Sequence, residues 1–177
     1  MGFYYDFEDA DAFATGAIGR PGERTFYVQI RGEGRTISVK CEKQQVAALA
    51  EYLRNMLADM PDVAGSAKIE SAALQSPVEQ DFVLGSVGLG VDRTNMRMVV
   101  QLEEMVIVDE DDDDIFDLIS DDDDDEDSNT VVRVLLTPAQ ARAFCDTADL
   151  FITAGREECK WCGSPIDPLG HACPRFN

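Results

Sequence analysis

Histidine is almost absent from this chain: in 177 residues it occurs once, as His171. Acyl-transfer chemistry of the Ser–His or Cys–His kind therefore has only that one imidazole as a base. No serine stands in a nucleophile elbow, and neither a Walker loop nor a dinucleotide fingerprint occurs. Long apolar runs are missing too, so no stretch approaches the length of a membrane span. The start, MGFYYDFEDADAF, is acidic and lacks a basic n-region and a continuous apolar run. Asp6 stands where myristoylation wants Ser or Thr. A cytoplasmic location is the expectation from these absences. Bases are few, 15 against 35 acids, for a formal net charge of −20. The excess is concentrated: Asp109–Asp114 is a run of six acids and Asp121–Asp127 a run of seven, with Asp117 between them. Setting those fourteen aside leaves twenty-one acids against fifteen bases, an ordinary mildly acidic domain. The charge argues against general affinity for nucleic acid or for anionic membrane.

What is present concentrates at the other end. Residues 159–177 read CKWCGSPIDPLGHACPRFN and hold three of the five cysteines and the one histidine. Cys159 and Cys162 form a C-x2-C pair followed by Gly163, the shape of a metal knuckle. His171 and Cys173 add an imidazole and a third thiolate. A segment this small, stiffened by Pro165, Pro168 and Pro174, cannot bury enough surface to order itself and needs a staple. Cys159, Cys162, His171 and Cys173 are read as one structural Zn2+ site, with every position filled by protein and none open for catalysis. The competing readings are a reduced, frayed tail and a disulfide, and nothing else suggests an oxidising compartment for the latter.

The body of the chain repeats itself. FATGAIG at residues 13–19 matches FVLGSVG at residues 82–88, and each precedes Arg-Thr (Arg24-Thr25, Arg93-Thr94) by four residues, an offset of 69. Further on the offset becomes 95. Ile37, Val39 and Cys41 match Val132, Val134 and Leu136, and Val46, Leu49, Ala50, Leu53 and Leu57 match Ala141, Phe144, Cys145, Ala148 and Ile152. Gln45 aligns with Gln140. The acidic insertion accounts for the difference. Copy one reads as strands over Phe13–Gly19, Thr25–Arg31 and Arg35–Cys41, then a helix from about Glu42 to Asp59 ended by Pro61. Copy two reads as Phe82–Gly88, Met96–Val108 and Thr130–Leu136. Its helix opens on the capping box Thr137-Pro138-Ala139-Gln140 and runs to about Ala154. The expectation is an α+β domain over 1–155, built from duplicated β-β-β-α units related by a pseudo-twofold. Copy one covers about 13–60, a linker 61–81, and copy two 82–155 with the insertion at 109–128. A mostly antiparallel sheet carries two helices, and a zinc knuckle occupies 156–177.

Other features have a plain and a functional reading. The G-x2-G stretches suit a bulge or close packing better than a phosphate cradle. Arg24 and Arg93 recur in both copies; they form local salt bridges or, in an enzyme or phosphate-binding protein, grip an anion in the cleft between copies. Cys41 and Cys145 fall on core faces and are assigned to packing. The acidic runs fail as an EF-hand, because Asp114 stands where glycine is required. Ile115, Phe116, Leu118 and Ile119 form an apolar island between them, either a solubilising loop or a linear motif for a protein partner with a basic surface. Trp161, with Arg156, Lys160 and Arg175, offers nucleic-acid binding as a minority alternative.

The motifs GxxGRPGERTFYVQIR, EKQQVAALAEYL, LTPAQARAF and CxWCGxPxDPxGHxCPR, in that order and across nearly the whole chain, resemble a bacterial family of conserved hypothetical proteins of unknown function, found mostly in high-GC Gram-positive lineages. The resemblance implies a C-terminal zinc element on Cys159, Cys162, His171 and Cys173. It also implies an adaptor in the company of kinase-like and phosphatase-like proteins, and it carries over no catalytic residue. The reading is a non-enzymatic interaction module.

Overall fold

A computed structural model of the chain describes residues 2–20, 22–60, 72–106, 129–153, 158–164, 166 and 171–175. The elements are β1 (Tyr4–Phe7), β2 (Ala12–Ile18), β3 (Thr25–Gly32), β4 (Arg35–Cys41), α1 (Lys43–Ala58), β5 (Phe82–Asp92), β6 (Arg97–Glu104), β7 (Val131–Leu136) and α2 (Pro138–Thr153). All the strands join one mixed sheet of order β1-β7-β6-β5-β4-β3-β2. The architecture is α+β, and the order strand-strand-strand-helix runs twice, as β2 to α1 and as β5 to α2. Among the described residues no helix is long and apolar enough to cross a membrane.

Each element follows from its pattern. In β3 Phe26, Val28 and Ile30 point into the core, and in β4 Ile37, Val39 and Cys41 do the same. Pairing sets Phe13 opposite Ile30 and Ile30 opposite Ile37, so one apolar face runs unbroken across three strands. The helices bury Val46, Leu49, Ala50 and Leu53 in α1 and Ala141, Phe144, Cys145 and Ala148 in α2, the same four positions at an offset of 95. Phe13 and Phe144 stack with ring centroids 4.7 Å apart. The aligned glutamines do the same job twice. Gln45 Oε1 accepts the Glu42 N–H at 2.8 Å and Gln140 Oε1 accepts the Thr137 N–H at 2.9 Å. Each Nε2 then donates outward, Gln45 to Leu84 O and Gln140 to Ala10 O. Both helix starts are thereby tied to a neighbouring strand or its extension.

The two units follow one another around the sheet. β4 lies beside β5 and parallel to it, so the last strand of one unit abuts the first strand of the next with the same direction. A twofold perpendicular to the sheet would instead set like strands together, antiparallel. The relation is a three-strand shift across the sheet. Its sequel is β1, a strand with no counterpart in the repeat pattern, which pairs parallel with β7 as β5 pairs with β4. Only Glu8–Asp11 join β1 to β2, which form opposite edges. Five residue steps reach at most about 18 Å, whereas six strand spacings in a flat sheet measure about 29 Å. The sheet therefore coils until its edges approach, and Phe7 and Ala10 come up against Gly32 at the end of β3.

Two boundaries shift. β6 ends at Glu104 rather than continuing to Val108, and residues 107–128, with the insertion, lie outside the described residues. Of the linker, 61–71 also lie outside, but 72–81 are a docked strap and not a free connection. Thr15 N–H donates to Ala72 O, Arg31 Nη1 to Ala73 O, and Ser38 N–H to Asp81 Oδ2. Beneath the strap sits Gln29, fully buried. Its Nε2 donates to Ser38 Oγ and to Gln75 O, while its Oε1 accepts from Gln75 N–H at 2.8 Å and Arg31 Nη1 at 2.9 Å.

Candidate metal centre

The C-x2-C segment folds as its glycine requires. Gly163 takes φ +73°, a left-handed conformation that suits glycine. Its N–H donates to Cys159 O at 2.8 Å, and Cys159 N–H donates to Ser164 O at 2.8 Å. Two backbone bonds thus close a tight loop around the first pair of thiols. The Cys162 sulfur accepts hydrogen bonds from the Ser164 hydroxyl and N–H and sits 3.2 Å from His171 Nε2; these contacts, Ser164 foremost, pull its thiol down to about 6. At neutral pH it is a ready thiolate ligand. The Arg175 N–H favours the Cys173 thiolate in the same way, but burial and the adjoining Cys162 and Cys159 sulfurs outweigh it and hold this thiol above its usual range.

Four donor atoms converge, one each from Cys159, Cys162, His171 and Cys173, all within 4.8 Å of one another. Cys159 Sγ lies 3.9 Å from Cys173 Sγ. A tetrahedral zinc with Zn–S of about 2.3 Å and Zn–N of about 2.05 Å places sulfur pairs about 3.8 Å apart and sulfur–nitrogen pairs about 3.6 Å apart. The observed separations of 3.9 and 3.2 Å straddle those values. The tight H-x-C spacing still lets His171 reach the cluster, through Nε2. Cys159 is buried and the other three are half-buried, so a cation bound here would be held against the fold of the tail and still be reached by solvent.

The remaining sites fare differently. Arg24 lies in the β2–β3 turn and Arg93 in the β5–β6 turn. β2 and β5 run the same way, so both turns point to one end of the sheet, but they are three strands apart and, because Thr15, Val28, Val39 and Phe82 share one level, staggered by about seven residues along the strands. A groove of about 390 Å3 does open between the two units, lined by Gln45, Ala48, Leu49 and Tyr52 of α1 and Gly85, Val87 and Leu89 of β5. Its lining is mainly apolar and includes neither arginine. The glycines of the G-x2-G stretches take packing roles: a Cβ on Gly16 would meet Leu74 at 2.9 Å, and Gly85 sits at the β-bulge between Leu84 and Val87, where a Cβ would come within 2.8 Å of Met105 Cα. Cys41 and Cys145 are buried, and desolvation drives their thiols up to about 12 and about 11. Trp161 is 61% exposed, beside an exposed Lys160, with Arg175 also exposed; Arg156 lies outside the described residues. So do Ile115, Phe116, Leu118 and Ile119. The strap over Gln29 was not legible, because 72–81 lack periodicity and contact the sheet mainly through their backbone.

One family, described as protein of unknown function (DUF3090), matches residues 5–173. That span takes in the whole sheet, both helices and all four clustered donors apart from the first residue of β1, and the chain belongs to this family. No curated protein and no solved structure matches the chain.

Proposed function

We propose that this DUF3090 protein is a zinc-stapled, non-enzymatic interaction module. The observation that carries the reading is the convergence of three cysteine sulfurs and one imidazole nitrogen within 4.8 Å. A soft, borderline N/S donor set of four with no vacancy suits Zn2+ in a structural role. His171, the chain's single histidine, is committed to that set and leaves no imidazole over for general-base work. The ion would supply the folding energy that a tail of this size lacks. In this reading residues 109–127 present Ile115, Phe116, Leu118 and Ile119, flanked by acids, to a cytoplasmic protein with a basic and apolar groove.

Metal analysis of protein purified without a histidine tag tests the centre. One equivalent of zinc is expected, falling to a small fraction in Cys162→Ser. A metal-free protein whose tail resists proteolysis with and without chelator would defeat it. The partner-binding half is tested by comparing proteins retained by the full chain and by a chain lacking 109–127. Retention that is unchanged by the deletion removes the acidic island from the reading.

A further inference from the structure

We propose that the metal centre is also a peroxide-sensitive thiol switch, in which Cys173 and Cys159 join as a disulfide and release the ion. The inference rests on the zinc reading above and deepens it.

One sulfur pair joins the two ends of the tail. Cys159 Sγ and Cys173 Sγ lie 3.9 Å apart, and they come from opposite ends of the tail. A disulfide needs about 2.05 Å, so a movement of roughly 2 Å suffices. Cys162 adjoins both of these sulfurs, but its own sulfur is held by the two Ser164 hydrogen bonds and by His171 at 3.2 Å. Access sets the order of events. Cys173 is half-buried and open to a small oxidant, whereas Cys159 is 7% exposed. The other two thiols do not compete: Cys41 and Cys145 are 4% and 2% exposed, and Cys145 donates its S–H to Ala50 O.

The step balances with hydrogen peroxide as oxidant. Cys173, which a bound cation would hold as the thiolate, attacks one peroxide oxygen, the O–O bond breaks, hydroxide leaves, and Cys173 becomes a sulfenic acid. The Cys159 thiolate then attacks the Cys173 sulfur and displaces a second hydroxide as the S–S bond forms. Two thiolates are oxidised and one peroxide is reduced to two hydroxide ions. Only Cys162 and His171 then remain as donors, too few to retain the ion, and the tail loses its staple. A dithiol reductant reverses the change.

The experiment uses the full chain loaded with zinc, treated with hydrogen peroxide in slight molar excess. Released zinc is read with a chromogenic chelator, thiols are counted after denaturation, and cross-links are mapped by mass spectrometry. The expected result is release of the ion in step with a fall from five thiols to three, a single cross-link between Cys159 and Cys173, and recovery of both on adding dithiothreitol. Zinc retained under peroxide, or a Cys159–Cys162 cross-link in place of the stated one, overturns the switch and leaves the metal reading standing. A chain that takes up no zinc at all sinks the metal reading and the switch with it.

Discussion

Replacing Gln29 by methionine removes a polar cluster from under the strap while keeping most of the volume. Gln29 has no exposed surface and makes four hydrogen bonds: to Ser38 Oγ, to Gln75 O, from Gln75 N–H and from Arg31 Nη1. Each neutral bond contributes about 1 kcal/mol net and the one from Arg31 somewhat more. Part of the loss is recovered, because Gln75 is exposed and its backbone can turn to water, and Arg31 keeps its bond to Ala73 O. Ser38 is 2% exposed and has no such recourse. The expected cost is about 3 kcal/mol, a fall in Tm of roughly 6–12 °C for a chain of this length. Urea unfolding followed by far-ultraviolet circular dichroism measures it. The control is Gln75→Ala, which keeps the backbone groups that Gln29 uses and should cost less than about 0.5 kcal/mol. A Gln29→Met protein as stable as the parent, or a Gln75→Ala protein equally damaged, would refute the account of how the strap is held.

Two further outcomes are expected. Gly85→Ala drives a Cβ to 2.8 Å from Met105 Cα and 3.0 Å from Glu104 O, backbone that cannot yield cheaply, whereas Gly88→Ala meets only Gln101 Cβ at 3.5 Å; thermal unfolding should show a loss of about 1–3 kcal/mol for the first and little for the second. The buried Cys41 thiol is pushed from 9.0 up to about 12, so the folded state holds a proton that the unfolded chain gives up. That stability is complete below pH 9 and is lost as pH rises from 9 towards 12, by up to about 1.4 kcal/mol per pH unit. Urea midpoints taken across that window should fall more steeply for the parent than for Cys41→Ala, and parallel slopes would show that the thiol is not the cause.

Legibility in the sequence followed local chemistry. α1 starts after Glu42 and ends before Asp59, α2 opens on its Thr137–Gln140 box, and β4 spans Arg35–Cys41. In each case a change of apolar period or a capping residue carries the boundary within a few positions. The convergence of Cys159, Cys162, His171 and Cys173 was equally plain, because spacing and glycine placement act over less than twenty residues. Relations between distant segments were not. The equivalence of Gln45 and Gln140 was visible as an alignment, but their bonds to Leu84 O and Ala10 O required the sheet. β1 hides in an acidic stretch, since YYDF buries only Phe7 deeply and owes its place to β7. The direction in which the two units join was also invisible: a repeat pattern is the same whether the adjoining strands run parallel or antiparallel, and the choice is made by the crossover through α1 and the strap that sets β5 parallel to β4.

The pairing of β1 with β7 places a delay in the life of the nascent chain. Phe7 lies opposite Val134, and translation at about 5–20 residues per second separates their emergence by roughly 6–25 s. Throughout that interval the leading strand travels without its hydrogen-bonding mate while β2, β3, β4 and α1 are already available to assemble. Completion of the sheet is therefore timed by the ribosome, and any stall within the acidic stretch lengthens the exposure of Tyr4–Phe7 to chaperones and to other unfinished chains.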